Sequence, residues 1–127
     1  MSTDILDTLA EAIHQRHGSR VVALDMSRVP LTMEAFLIAT AENRIQARAI
    51  ADHVEETARM NGFVKHHIEG YEEGSWILLD LLDLVVHIFL PETREYYSLE
   101  MLWSDAPSIV YEDDREPGDD EPGPASD

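Results

Sequence analysis

Two aspartates, Asp80 and Asp83, interrupt the apolar run 75–90, SWILLDLLDLVVHIFL. Closely spaced carboxylates are the usual beginning of a metal-dependent transfer site. Such chemistry on nucleotides would need a Gly-Ser turn followed, on a strand, by two acids spaced to share a metal. Gly18-Ser19 is present, but Asp25 is followed by Met26 and Ser27, with no second acid. Asp80 and Asp83 straddle an expected turn and lack the one-residue spacing. Turn hydrogen bonds, or contact with basic groups on a partner, are the roles that fit them. His66 and His67 raise a metal question. Neighbours on a strand point to opposite faces, so the pair cannot chelate one ion. His87 could meet one of them across a sheet, but two imidazoles without a cysteine make a weak site. No metal or cofactor is expected, and His87 reads as a buried polar contact. Asn43, Arg44 and Arg48 open a helix, where anions are held well. The acid at Glu42 works against such a site, so a cap plus pairs with nearby acids is the expectation.

These residues must be carried by definite elements. Ile5, Leu6, Leu9, Ala12 and Ile13 share a helical stripe in 4–17, and Gly18 stands where that helix would stop. RVVALDM (20–26) and AFLIATA (35–41) read as buried strands, separated by a connector holding Pro30. Asn43 caps a second helix in which Ile45, Ala49, Ile50, Val54 and Ala58 keep helical spacing up to Asn61-Gly62. FVKHHIEG is a third strand. WILLDL and LVVHIFL are two more, with a tight turn near Leu82-Asp83. Pro91 suits the first position of a closing helical region, PETREYYSLEMLW. The result is a single α/β domain, a five-stranded mixed sheet flanked by helices. The strand–helix–strand unit from Phe36 to Ile68 is expected as a right-handed parallel crossover, the rest as antiparallel hairpins. The domain is placed at 1–107 and an acidic, disordered tail at 108–127.

Charge limits the partners. Nine basic residues face twenty-six acids, a net −17 in 127 residues. The last sixteen residues hold eight of the acids and one arginine, so the body is strongly acidic as well. Phosphate backbones repel such a surface, and no direct nucleic-acid binding is expected. Basic protein surfaces attract it. Cysteine is absent, the N-terminal stretch carries acids where an export signal needs bases, and no apolar run is long enough for a membrane span. A cytoplasmic protein without membrane contact is the expectation.

Several uncommon blocks carry a resemblance: NR-x-x-x-R-A-I-A-D at Asn43 to Asp52, W-x-L-L-D at Trp76 to Asp80, V-V-H at Val85 to His87, and L-E-x-L-W at Leu99 to Trp103. With VVALDM and the sequence up to Pro107, they resemble the ribosomal silencing factor family RsfS, also called Iojap-related, over roughly 20–107. The resemblance implies a nucleotidyltransferase-like topology and a binding role in place of catalysis. It implies docking on the large ribosomal subunit, at ribosomal protein fourteen, where the small subunit would join. Subunit association is then blocked sterically and translation falls under nutrient limitation. It also implies a homodimer when the protein is free. Other readings of the residues are a nucleotide-binding protein of nucleotidyltransferase type, or a self-associating module for another basic partner. The chain departs from the family at Thr40, Ala41 and Glu42, where Gly-Thr-Ser is common, and at Leu82, where glycine is usual.

On the resemblance, Trp76 is a partner-facing anchor, and Leu81 and Leu82 are apolar tips of the turn. Asp80, Asp83 and Glu100 meet basic groups, although Arg94 and Glu100 could also pair locally. Alternation sends Trp76, Leu78 and Asp80 one way and Ile77, Leu79 and Leu81 the other. Tyr96, Tyr97, Leu99, Met101, Leu102 and Trp103 put six large apolar side chains into eight positions. One stripe cannot bury them all, so Tyr96, Leu99 and Met101 join the candidate partner surface. If the turn requires positive φ, Leu82 is strained by about 1–2 kcal/mol.

Overall fold

The computed structural model describes residues 4–28 and 33–113. Helix α1 (Asp4–Gln15) follows the expected stripe, burying Leu6, Leu9, Ala12 and Ile13. Its end is a Schellman turn: Gly18 N–H donates to Ile13 O and His17 N–H to His14 O. The left-handed residue there is His17, at φ 67, and not the glycine. Gly18 has a different duty, because a Cβ on it would stand 2.3 Å from Ile13 Cγ2.

Strands β1 (Ser19–Asp25) and β2 (Ala35–Thr40) pair antiparallel, with a bulge in β1 at Arg20, φ 51. Helix α2 (Arg44–Met60) begins at Asn43, whose side chain accepts from Gln46 N–H at 2.8 Å. It buries Ala47, Ile50, Ala51, Val54 and Ala58. Ile45 and Ala49, expected in that stripe, are exposed, Ile45 by 76%. Both lie on the far side of the turn from Ile50 and Val54, and the small Ala47 and Ala51 let the helix settle close to the sheet.

Strand β3 is only His67–Glu69, shorter than the expected 63–70, because Phe63 leaves the extended path to pack on the core while Val64 stays exposed. Strands β4 (Trp76–Asp80) and β5 (Leu84–Phe89) form a hairpin, and α3 (Pro91–Tyr97) and α4 (Leu99–Leu102) follow. The closing helical region is thus two pieces, divided at Ser98 in the left-handed conformation.

The sheet order is β3-β4-β5-β2-β1-β6, with six strands where five were expected. The sixth, β6 (Ser108–Tyr111), pairs antiparallel with β1, inside the segment assigned to the tail. It is held by a hydrogen bond from Tyr111 Oη to Asp7 Oδ1, 2.8 Å, which ties the strand to α1. The domain therefore runs past 107, and 114–127 of the expected tail lie outside the described residues. The α2 crossover is parallel as expected, since β2, β5 and β3 all run the same way, but its two strands are not neighbours. β2 pairs in parallel with β5, while β3, the strand after α2, pairs with β4 at the far edge. The hairpin β4–β5 returns the chain to β2's side, so the α2 connection spans three strand positions.

The two faces of the sheet are unequal. Both long helices pack on one face, where α1 and α2 close over Val21, Ala23, Leu37, Ala39, Ile77, Leu79, Val86 and Ile88. The opposite face presents Leu24, Phe36, Ile38, Val85 and Phe89, covered by Leu99, Trp103 and Ala106 from the short α3–α4 segment and its flank and by Met26 and Met33 from the β1–β2 connection. Among the described residues neither long helix lies over it, and Val22, Trp76 and Leu78 there are only half buried. No helix of the described residues is long and apolar enough to cross a membrane.

Candidate docking surface

The half-covered face is built outward from β4. Its alternation is as expected: Ile77 and Leu79 are fully buried under the helices, and Trp76, Leu78 and Asp80 form a half-buried row on the other side. Leu81 falls with the first group. At 3% exposure it belongs to the main core, so it is not a surface anchor as expected from its place at the turn. The strand's inward alternation runs one residue further than the turn signal suggested. That leaves Leu82 alone at the tip, 59% exposed.

The tip is a tight structure. Leu82 sits at φ 76, the left-handed region that favours glycine. Asp83 N–H donates across it to Leu81 O, and Leu81 N–H to Leu84 O. Asp80 Oδ1 accepts Leu82 N–H at 2.8 Å. Asp80 thus takes the turn-bonding role. Asp83 is exposed, and its carbonyl receives the N–H groups of Glu34 and Ala35, which anchor the turn to the start of β2.

At the other end of the hairpin lies an aromatic group. Trp76 stacks on Phe89 with ring centroids 5.0 Å apart and meets Tyr97 at 4.6 Å, and Tyr97 meets Tyr96 edge-on at 5.0 Å. Exposure rises along this series, to 48% at Tyr97 and 80% at Tyr96. Met101 and Leu102, 76% and 67% exposed, continue the apolar surface, while Leu99 turns inward to the sheet. Gly70 supports this corner: at φ 78, its missing Cβ leaves room for Trp76 O, which a side chain would meet at 2.0 Å. Trp76 and Leu82 are six residues apart on an extended strand, roughly 20 Å. The expected site residues therefore form two patches, joined by the row Trp76, Leu78, Asp80.

Arg94 fixes the aromatic patch to the sheet. It is 3% exposed and donates to Arg20 O at 2.6 Å, to Thr40 Oγ1 at 2.8 Å and to both Glu100 oxygens. Glu100 is thereby paired within the chain, with its side chain 34% exposed. Burial alone would raise its carboxyl, but the hydrogen bonds and charge of Arg94 prevail and hold it below the ordinary value. The bulge at Arg20 turns the carbonyl that Arg94 needs, a relation with no signal in local sequence. Sequence reasoning also left His87 without a partner. Its Nδ1 accepts the Trp76 indole N–H at 3.1 Å, and burial holds the imidazole down at about 4.

The groups weighed for metal or phosphate chemistry are occupied otherwise. Asp25 accepts from the Ser27 hydroxyl and N–H, which hold its carboxyl low. His67 Nε2 meets Glu69 Oε2 at 2.8 Å, and among the described residues no three His, Cys, Asp or Glu converge as metal ligands. Arg44 and Arg48 donate to the carbonyls of Glu73 and Glu72, pinning loop 70–74 across the start of α2.

Comparison with known proteins agrees with this architecture. The family described as "Ribosomal silencing factor during starvation", RsfS, matches residues 1–126. The ribosomal silencing factor RsfS of Bacillus subtilis is 40% identical over 103 residues, 81% of this chain and 87% of its own. That of Halalkalibacterium halodurans is 38% identical over 109 residues, 86% of this chain and 93% of its own. A crystal structure of a Chromobacterium violaceum protein superposes with a TM-score of 0.78 at 32% identity, covering 82% of this chain and 88% of that one. The chain belongs to the ribosomal silencing factor family, RsfS.

Proposed function

We propose that the protein silences translation without catalysis. It docks through the half-covered sheet face on ribosomal protein fourteen of the large ribosomal subunit and excludes the small subunit sterically when nutrients are limiting. The observation that carries this reading is the graded aromatic patch Trp76–Tyr97–Tyr96 on a face that α3 and α4 cover only in part. Exposed aromatics rooted in a packed layer are what interface hot spots are made of. The net charge of −17 supports a basic protein surface as the partner and opposes contact with bare ribosomal RNA. Asp83, exposed beside Leu82, supplies one such acidic contact. In the free protein the same apolar face closes a homodimer, so dimer and ribosome compete for it. The cytoplasm is the matching location. We assign the sheet a nucleotidyltransferase-like topology, a likeness of fold that carries no activity.

Co-sedimentation with purified large subunits tests the surface. Trp76→Ala and Tyr96→Ala each weaken binding, Trp76→Ala by about 2 kcal/mol or more. Tyr96, 80% exposed, contributes little to folding, so its variant separates docking from stability. Wild-type binding by both variants overturns the assignment. Leu81→Ala, by contrast, reports on the core and not on docking.

A further inference from the structure

Trp76 owes its orientation to a residue that never reaches the surface. His87 is 4% exposed, at the centre of β5, paired across the sheet with Leu78 of β4 and Ile38 of β2. The indole N–H can only donate, so His87 Nδ1, 3.1 Å away, must accept and the ring proton must sit on Nε2. That second nitrogen is buried without a hydrogen-bond partner. A buried N–H left unmade is costly, and a phenylalanine in the same slot would avoid the cost. The ring packs as a phenylalanine would, edge-on to Phe36 at 4.6 Å and parallel to Phe89 at 6.1 Å. Packing therefore does not account for the histidine, whereas the acceptor at Nδ1 does.

We propose that His87 is a positioning residue for docking. Its Nδ1 fixes the plane of the Trp76 indole, and through it the Tyr97 and Tyr96 rings that pack outward from it, one tilted and one edge-on. The chain Phe36, His87, Trp76, Tyr97, Tyr96 runs from buried rings, 8% and 4% exposed, to 80% exposure, so an orientation set in the core is passed to the surface. Holding an anchor in its bound orientation beforehand lowers the ordering cost of association. This inference rests on the docking reading above.

Two measurements test it. In the 15N-labelled wild type, long-range imidazole correlations show His87 with a bare Nδ1 and a protonated Nε2; a proton on Nδ1 overturns the inference with no variant needed. Pelleting with large subunits then compares His87→Phe, which keeps the ring and removes the acceptor, with His87→Asn, whose Oδ1 stands where Nδ1 stood. His87→Phe binds roughly tenfold more weakly, as for one lost buried hydrogen bond, and its Trp76 indole N–H resonance moves. His87→Asn recovers part of both. If His87→Phe binds like the wild type while Trp76→Ala does not, positioning fails and the docking face stands. If Trp76→Ala also binds like the wild type, the docking face is wrong and the inference falls with it. Should His87→Phe not fold, Trp76→Phe removes the donor instead and must show the same loss; undiminished binding there is again a refutation.

Discussion

Replacing Leu82 by glycine removes an exposed leucine from the hairpin tip, and the structure predicts almost no change in stability. At φ 76 the leucine carries the left-handed penalty of an L-residue, about 1–2 kcal/mol, which glycine relieves. Two terms oppose the gain. Glycine adds freedom to the unfolded chain, worth about 0.4–1 kcal/mol. The side chain is 59% exposed, so of the ~2 kcal/mol that a fully buried leucine contributes, less than half is at stake. The contributions nearly cancel, leaving the variant within about 1 kcal/mol of the wild type. The same deletion at the fully buried Leu79 costs about 2–5 kcal/mol, so Leu79→Ala is the internal control. Urea denaturation followed by tryptophan fluorescence reads both. Docking separates them in the opposite sense: Leu82→Gly keeps its midpoint but loses affinity for large subunits. A stability loss above about 2 kcal/mol for Leu82→Gly would refute the reasoning, because the side chain would then be holding the turn instead of tolerating it.

Acidification tests the buried imidazole. His87 is held down at about 4 against 6.5 when free, so the unfolded chain gains a proton that the folded chain refuses. Stability is complete above pH 6.5 and is lost as pH falls toward 4, by up to about 3 kcal/mol. His53, lowered mainly by burial, acts in the same direction, so the quantity to measure is the difference between wild type and His87→Phe; parallel pH profiles would contradict it. Glu100→Gln strands the charge of Arg94, itself 3% exposed, and should cost about 3 kcal/mol in urea denaturation. A loss below about 1 kcal/mol would place the pair with ordinary surface bridges.

What could be read from the sequence was whatever depends on near neighbours. Period-two alternation separated Trp76, Leu78 and Asp80 from Ile77 and Leu79, and the Asn43 cap and the Asn61-Gly62 stop bounded α2. The left-handed turn residue was visible as a departure at Leu82. Features settled between distant segments were not visible. SIVY, 108–111, is four residues long and followed by acids, so composition hid a strand that exists because β1 offers it an edge and Asp7 a hydroxyl acceptor. The parallel sense of the α2 crossover was legible, but the two strands lying between its ends were not, because strand order depends on which edge the hairpin returns to and spacing does not encode that. Leu81 was assigned outward from a rule about exposed turn tips, and Glu100 from the resemblance, with local pairing to Arg94 left open. One continues a strand's inward row, and the other is claimed by an arginine whose remaining partners are 54 and 74 residues away.

On the proposed docking reading, the two faces of the sheet divide stability and recognition between them. The face under α1 and α2 is closed, built on fully buried aliphatic side chains, and leaves little for a partner to gain. The other face carries the run of ring–ring contacts from Phe36 and Phe89 out to Tyr96. A surface of this kind risks non-specific association unless its geometry is held. Three devices hold it here: the Arg94 network locks α3 and α4 to β1 and β2, Gly70 admits the close loop behind Trp76, and His87 sets the indole. Each of the three is buried or backbone-borne, so none spends exposed surface. On the same docking reading, specificity on this face follows from rigidity, since a partner must match rings that are already placed, and the net charge of −17 favours one whose matching surface is basic.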